Sequence, residues 1–428
     1  MLEVGTKMVH TDPWRADELD HAAERLDWAA KDAHKPAGTF DADYASLCQV
    51  FQVPPHPCLA SRRAKATTED ETKPPVASST VQLQNFAVDL TTLRLMMEAL
   101  KRSSDIDTLT FHNAGLTEAS IAILVEGLQH TSVHSLGLDY NTLLPSSSPV
   151  RPKVTDGAAE AAEGSANEAA SGRNFAGLVR EGSKLKALSL RGNGIGDVEA
   201  AALAEAIEEN TVLRALNLFD NKITDVGAFA FAEMLRLNTV LRGLSLAKNR
   251  LIPTSAEAFG LLLAGGYEVL APEQEKRAAA EAKITAQNKI AQDAMKKKKD
   301  AKVETRLPLS AVVLQTGGDG SSKAIAGGSK SLAALNLSEN RELGADGALV
   351  NLLSRIVKAR KEEAEGAGAG VGFGAGAGAV VLQELHLARC QGYGEEAGGE
   401  DGDSMAVGDQ AGMLAAMSFA LRPTKVVV

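Results

Sequence analysis

The segment Leu185-Lys-Ala-Leu188-Ser-Leu190-Arg-Gly-Asn193-Gly-Ile195 indicates the fold most directly, because its leucines and asparagine return at a fixed interval. They recur 28 residues later and again 28 residues after that, as Leu213, Leu216, Leu218, Asn221, Ile223 and as Leu241, Leu244, Leu246, Asn249, Leu251. An amphipathic stretch with helical spacing follows each copy, as in 197–208. A fixed period of this length is typical of stacked structural repeats.

The same phase extends in both directions along the chain. Five further copies are centred on pairs of apolar residues two positions apart: Val81 and Leu83, Leu109 and Phe111, Leu136 and Leu138, Leu335 and Leu337, Leu385 and Leu387. Together with the central three they make eight units, of which the first is degenerate. Aromatic residues are only 4% of the chain, so a core must be built from small aliphatic layers.

The spacing within one unit has a direct structural meaning. Leu-x-Leu on a short strand sends both leucines to one side of the sheet. The asparagine that follows turns inward, where its amide can bond the backbone groups freed as the strand ends. Cys390, a small side chain that tolerates burial, takes the place of this asparagine in the last unit. A helix then returns the chain, so successive strands stack in parallel.

This pattern resembles leucine-rich repeats of the 28-residue, ribonuclease-inhibitor-like type. The resemblance implies an α/β leucine-rich-repeat solenoid, with a curved parallel sheet on one face and helices on the other. It covers residues 78–428, interrupted by insertions at 144–172, 270–330 and 358–380. Residues 1–77 form an N-terminal extension with one helix expected at 16–33, which we expect to cap the solenoid or to bind a partner.

The insertion at 270–330 differs from the other two in composition. Its stretch 272–302 is rich in Ala, Glu, Gln and Lys with almost no large apolar residue. These residue types favour a solvated helix, and we expect that helix to have no face to bury. Lys296, Lys297, Lys298 and Lys299 form a basic run within it. The run is either a solubilising charge cluster or an electrostatic clamp onto an acidic surface.

Composition and motifs argue against several functional classes. The formal net charge of −10 disfavours nonspecific nucleic-acid binding. Three widely spaced cysteines fit neither a disulfide framework nor a zinc site, and no long apolar run or signal peptide is apparent, so we expect a soluble cytoplasmic protein without cofactor or metal. Gly192-x-Gly194-x-Gly196 matches the turn of a repeat better than a phosphate loop, and no catalytic arrangement can be singled out.

The exposed columns of the predicted sheet are the remaining candidate binding surface. Small and neutral polar residues dominate them, so they either accommodate curvature or allow a partner to approach closely. Arg191 and Phe219 are the only large neighbouring pair in these columns. The candidate contacts in the central column are Asn217, Ser245 and Asn336.

The order of segments also resembles a family of ciliary proteins, that of leucine-rich repeat-containing protein 71. The similarity includes Leu47-Cys48 in the extension, the stretch 235–250, the Lys-rich insertion after it, and the later units at Leu335-Asn336-Leu337 and Leu385-x-Leu387. It implies a non-enzymatic structural component of the motile cilium or flagellum axoneme. The implied partners are other axonemal proteins, with the tubulin surface of the microtubule as one candidate. A Ran-type GTPase-activating protein, or another cytosolic regulator or inhibitor built from these repeats, is the alternative.

Overall fold

The computed structural model describes most of the repeat region and part of the extension. The described residues are Trp28, 35–60, Arg62, 79–141, 175–265, 267–297, 306–310, 312–316, 322–329, 331–366, 382–390 and 425–427. The helix expected at 16–33 (apart from Trp28), the insertion 144–172 and the Gly-Ala tract of the insertion 358–380 lie outside them. The chain divides into two compact units, residues 1–194 and 195–428.

The first unit alternates strands and helices in the predicted phase. Its elements are α1 (Phe40–Val50), β1 (Thr80–Gln84), α2 (Leu90–Arg102), β2 (Thr108–His112), α3 (Glu118–Leu128), β3 (Ser135–Gly137) and β4 (Ala187–Ser189). The strands pair in parallel in the order β1-β2-β3-β4. The register aligns Val81, Leu109, Leu136 and Leu188, which are all buried, so each layer of the core repeats the one before it.

The second unit continues the pattern and contains the large insertion. Its elements are α4 (Asp197–Glu208), β5 (Ala215–Asn217), α5 (Asp225–Leu237), β6 (Gly243–Ser245), α6 (Pro253–Ala264), β7 (Tyr267–Glu268), α7 (Ala271–Lys297), β8 (Val312–Thr316), β9 (Ser322–Ala326), β10 (Ala334–Asn336), α8 (Ala348–Gly366), β11 (Glu384–His386) and β12 (Lys425–Val427). Strands β5, β6, β10, β11 and β12 pair in that order and in parallel. The last strand, β12, was not predicted.

All eight predicted strands form, and the fold is an α/β leucine-rich-repeat solenoid. The inward asparagines act as predicted. The Asn221 amide accepts a bond from the Ile195 backbone N–H at 3.0 Å and donates to the Leu218 carbonyl at 3.0 Å. In the last repeat the Cys390 thiol takes this role and donates to the Leu337 carbonyl, with an Sγ to O distance of 3.4 Å. Burial raises the pKa of Cys390 to about 11, which keeps the thiol protonated as a donor.

The residue just before the inward position adopts a left-handed backbone conformation in every repeat. The series, with φ between 50° and 64°, is Asn85, Asn113, Tyr140, Gly192, Asp220, Lys248, Glu339 and Arg389. Asn, Asp and Gly tolerate this conformation at low cost, whereas the four larger residues are strained. Within each unit, the same sharp turn therefore follows the end of every repeat strand.

Side chains fix the starts of the outer helices. Asp89 and Thr117 cap α2 and α3 within their own repeats. Asp197 reaches into the next repeat instead, where its carboxylate accepts from the Thr224 hydroxyl at 2.6 Å and from the Gly227 N–H at 3.0 Å. A side chain at Gly227 would collide with Asp197, because an added Cβ would lie 2.8 Å from its carboxylate oxygen. The glycine allows neighbouring helices to lie this close.

The described part of the N-terminal extension packs against the first repeat. α1 lies against α2, and the Phe40 N–H donates to the Asp105 carboxylate at 3.1 Å. Phe40 and Leu47 are fully buried in this contact region. Among the described residues, no helix is both long enough and apolar enough to cross a membrane.

Candidate functional site

The large side chains at the strand exits of the first unit gather around Tyr140. The Tyr140 ring lies edge-on to the His112 ring, with 5.2 Å between centroids, and the Arg191 guanidinium lies over it at 5.9 Å. Gly192 makes room for the ring, because a Cβ there would lie 2.3 Å from a ring carbon of Tyr140. Aromatic and arginine side chains of this kind are the usual anchors of protein interfaces.

The carboxylate of Asp139 supports this cluster through two hydrogen bonds. Asp139 accepts from the Ser189 hydroxyl at 2.6 Å and from the Arg191 backbone N–H at 3.2 Å. Both bonds fix the turn that carries Arg191. Arg191 was predicted from the sequence as a contact residue, but Tyr140 was not. The prediction considered only the exposed positions of each strand, and Tyr140 lies one residue after the last of them. Tyr140 stands immediately before the inward Asn141, where glycine or asparagine adopts the left-handed conformation at a lower free-energy cost. A large side chain at this position is the sequence feature that points to Tyr140.

The central-column candidates of the second unit lie side by side. Asn217, Ser245 and Asn336 occupy equivalent register positions on β5, β6 and β10, and all three are half-buried. The two asparagine oxygens accept backbone N–H groups two residues further on, from Phe219 at 3.1 Å and from Ser338 at 3.1 Å. These amides therefore shape the strand exits.

Phe219 has a cation as a neighbour within the second unit. The Lys248 ammonium lies 5.7 Å from the Phe219 ring centroid and 3.0 Å from the Asp220 carboxylate. Within the first unit, Arg191 lies over Tyr140. The predicted surface thus has an aromatic–cation pair in each unit: Tyr140 with Arg191, and Phe219 with Lys248.

In the described part of the insertion, helix α7 is docked against neighbouring elements, so the expectation that its helix has no face to bury is wrong. Arg277 is only 3% exposed. Its guanidinium donates to the Ser310 carbonyl at 2.7 Å, the Ser310 hydroxyl at 3.0 Å and the Tyr267 hydroxyl at 3.1 Å. The Arg236 guanidinium lies over the Tyr267 ring at 4.2 Å, and this ring connects α5 to the insertion. A buried arginine is stable only where its donors are satisfied, as most of these are.

Apolar contacts extend the docked face of α7 by two further turns. Ile284 forms a buried cluster with Leu237, the last residue of α5, and with Leu309, and Ala280 packs against it. Further along, the Asn288 amide accepts from the Arg306 N–H at 2.7 Å and donates to the Arg306 carbonyl at 2.9 Å. Ile284 is the only large apolar residue at this face, which is too few to produce a helical pattern in the sequence.

Opposite charges flank this face. Lys283 bonds to Glu209 at the end of α4, and Glu273 pairs with Arg236 at 3.6 Å. Burial raises the pKa of Glu208, and the nearby Lys276 opposes the rise. Beside these pairs an antiparallel sheet, β7-β9-β8, buries Tyr267 and Ala326.

Beyond Asn288 the last described turns of α7 carry the basic residues. Lys289 and Lys296 are exposed, and Lys296 pairs weakly with Asp293 at 3.6 Å. Lys297 is the final residue of α7, whereas Lys298 and Lys299 lie outside the described residues. The run therefore begins on a helix whose first half is held by the solenoid.

The described residues contain no group of three side chains able to hold a metal ion. His386 and Cys390 are possible metal ligands four residues apart. His386 faces the open column and pairs with Glu384 at 3.6 Å, while Cys390 is buried, so their side chains do not converge on one site. Gly192 and Gly194 occupy left-handed positions at the exit of β4, as expected for a turn of a repeat. What the geometry offers is surface for another protein.

Comparison with known proteins agrees with the repeat architecture. A family model described as Leucine Rich repeat matches residues 183–204 and 209–232. No curated protein sequence matches the chain. Among solved structures, "Leiomodin-1 Actin-Binding Site 2 (ABS2)" is similar at 20% identity with a TM-score of 0.20, over 31% of this chain and 80% of that one. Such a low TM-score supports no inference about what this chain binds. Solenoids of this repeat type are protein–protein interaction modules.

Proposed function

We propose that this protein is a non-enzymatic structural component of the motile cilium or flagellum axoneme, held among neighbouring axonemal proteins through several surfaces. The observation that carries the proposal is the docked helix α7. The ciliary family resemblance includes a Lys-rich insertion after the repeat at 241–251, and α7 is the long helix of that insertion. Ile284 packs on Leu237 of α5, and buried Arg277 donates to the Arg236 carbonyl at 3.4 Å, so α7 is held against the solenoid.

This anchoring favours the clamp interpretation of the lysine run over a solubilising one. A charge run that only aids solubility has no need of a fixed position, whereas a basic contact gains affinity when its direction is set in advance. The net charge of the chain is −10, so a local basic end stands out against an acidic background. The acidic exterior of tubulin is a partner surface of the matching sign.

The two aromatic–cation pairs are further proposed contacts, one in each unit. Tyr140 with Arg191, and Phe219 with Lys248, present the residue types that dominate interface energies. Asn217, Ser245 and Asn336 form a shallow floor beside the second pair, where a partner loop can approach. The contacts of α1 with α2 support a capping role for the extension 1–77.

The test is retention of the tagged protein in ciliary axonemes across a salt series. We expect the unaltered chain to localise to motile cilia and to resist moderate salt. Changing Lys296, Lys297, Lys298 and Lys299 to Gln should release it at moderate salt, since these contacts are screened as the Debye length falls from about 8 Å to about 3 Å at 1 M. Changing four exposed lysines elsewhere, Lys101, Lys184, Lys186 and Lys222, to Gln is the matched control for loss of charge. Absence from cilia, or identical retention of the run variant and the control, would contradict the proposal.

A further inference from the structure

The free end of α7 carries an apolar side chain that none of the docking contacts uses. Ile290 is 70% exposed, the largest value for any large hydrophobic side chain in the described part of the chain. It lies two residues past Asn288, whose bonds to Arg306 are the last described contact of the helix before its lysines. A single exposed apolar residue is common on protein surfaces, so its position must carry the argument.

That position continues a stripe of α7 whose lysines lie near carboxylates of the solenoid. Residues seven apart lie on nearly the same side of a helix, and Lys276, Lys283 and Ile290 are spaced in this way. Lys276 acts on Glu208, and Lys283 bonds to Glu209, both at the end of α4. Ile290 is the next residue of this series, after the two lysines that lie near the end of α4.

The surroundings of Ile290 indicate the kind of surface that fits it. Residues 289–297 contain three lysines and one aspartate, and Lys289 and Lys296 are exposed. The first half of the stripe meets acidic side chains of the solenoid, so the same lysine chemistry in the second half suits an acidic surface. A partner of this kind must also offer an apolar recess, because covering Ile290 with charged groups would leave them desolvated and unpaired.

We propose that residues 289–297 of α7 dock onto an acidic protein surface, with Ile290 inserted into an apolar recess whose rim carries carboxylates for Lys289 and Lys296. The inference rests on the proposed function, in which this end of the insertion is a contact with an axonemal neighbour. It adds that the contact has an apolar anchor. Lysines alone would make a contact that salt dissolves, whereas buried Ile290 makes part of the affinity independent of salt.

The experiment measures binding of the full-length chain to polymerised tubulin by co-sedimentation at low, physiological and high salt. Ile290→Ala should weaken binding about tenfold at every salt concentration, as expected for loss of most of a buried aliphatic side chain. The paired variant Lys289→Gln/Lys296→Gln should weaken binding at low salt and approach the unaltered chain at high salt. Val226→Ala is the matched control, since Val226 is 60% exposed on α5, away from the insertion.

Each outcome separates the inference from the function on which it rests. Alanine favours helix and Ile290 is exposed, so Ile290→Ala should keep the helix content of the unaltered chain, which circular dichroism can check. If Ile290→Ala binds like the unaltered chain while the lysine variant is weakened, the apolar anchor is overturned and the electrostatic clamp stands. If the unaltered chain fails to bind polymerised tubulin at any salt concentration, the anchor is overturned as well, and the axonemal role depends on the retention experiment alone.

Discussion

The repeats and the insertion are stabilised by different kinds of contact within the second unit. Between repeats, each layer makes the same contacts as the last. The Ile223 N–H donates to Asn249 at 3.1 Å, and the Leu251 N–H donates to Asn340 at 3.2 Å, although the second pair is separated by 89 residues of chain. The insertion makes contacts that occur once, such as those of Arg277. The solenoid thus continues in register past the insertion, and the insertion is added to its side.

The first way to test this difference is to remove a repeated core residue. Leu244 is buried at the centre of β6, with Leu216 and Leu335 in register on either side. Leu244→Ala should lower the free energy of unfolding by about 2–5 kcal/mol through lost transfer energy and a residual cavity. Denaturant melts measure this loss. Ser245→Ala on the open side of the same strand is the control, and an equal loss in both variants would contradict the register.

A second substitution separates the insertion from the repeats. Arg277→Met keeps the length of the side chain but leaves the Ser310 carbonyl without its 2.7 Å bond. We expect α7 to be destabilised locally by about 2–4 kcal/mol, since bonds to a buried charge are lost, while the repeats stay protected. Hydrogen exchange resolved by peptide would show this. Lys289→Met, an exposed change on the same helix, should leave exchange unaltered, and equal deprotection of β5 and β6 in the Arg277 variant would show that the two parts unfold together.

This difference also explains which features could be predicted from the sequence. Eight strands were predicted because Leu-x-Leu and the inward asparagine repeat, so each copy supports the others. Arg277 and Ile284 have no counterpart in other repeats, and in a helix rich in Lys, Glu and Ala one arginine and one isoleucine do not stand out. Tyr140 was missed for another reason: its contacts with His112 and Arg191 depend on a turn geometry that the strand columns do not include.

A third prediction concerns the asparagine ladder. Asn221→Ala should lower stability by about 1–3 kcal/mol, because the Ile195 N–H and the Leu218 carbonyl lose their partner in a buried position. Asn221→Cys should recover part of this loss, since Cys390 fills the same position in the last repeat and donates to a carbonyl. Thermal melts of both variants provide the measurement. If the cysteine variant were no more stable than the alanine variant, a thiol could not replace the inward amide at this position.

A fourth, smaller effect depends on pH and lies in the extension, where contacts also occur once. Burial lowers the pKa of His56, whose ring accepts from the Cys58 N–H at 3.3 Å and contacts the Ala87 carbonyl at 3.3 Å. The unfolded chain therefore takes up a proton first as the pH falls. Stability should be lost from roughly pH 6.5 downward to the folded pKa, and retained above that range. Melts from pH 8 to pH 5 should show a steeper decline for the unaltered chain than for His56→Gln.

The smallest expected effect is a gain of stability at a strained position of the repeats. Glu339 has φ of 62° in the repeat that follows the insertion. A left-handed conformation costs a residue with a Cβ about 1–2 kcal/mol, whereas glycine adds an entropic cost of about 0.5–1 kcal/mol in the unfolded chain. Glu339→Gly should therefore stabilise the protein by about 0.5 kcal/mol.

Glu339→Ala removes the same carboxylate but keeps the Cβ, so it should show no gain, and denaturant melts of the two variants isolate the backbone effect. A gain in both variants would instead point to relief of charge repulsion. A gain for glycine alone would show that Glu339 is retained at a cost in stability, and the shared left-handed turn predicts the same cost at Tyr140, Lys248 and Arg389.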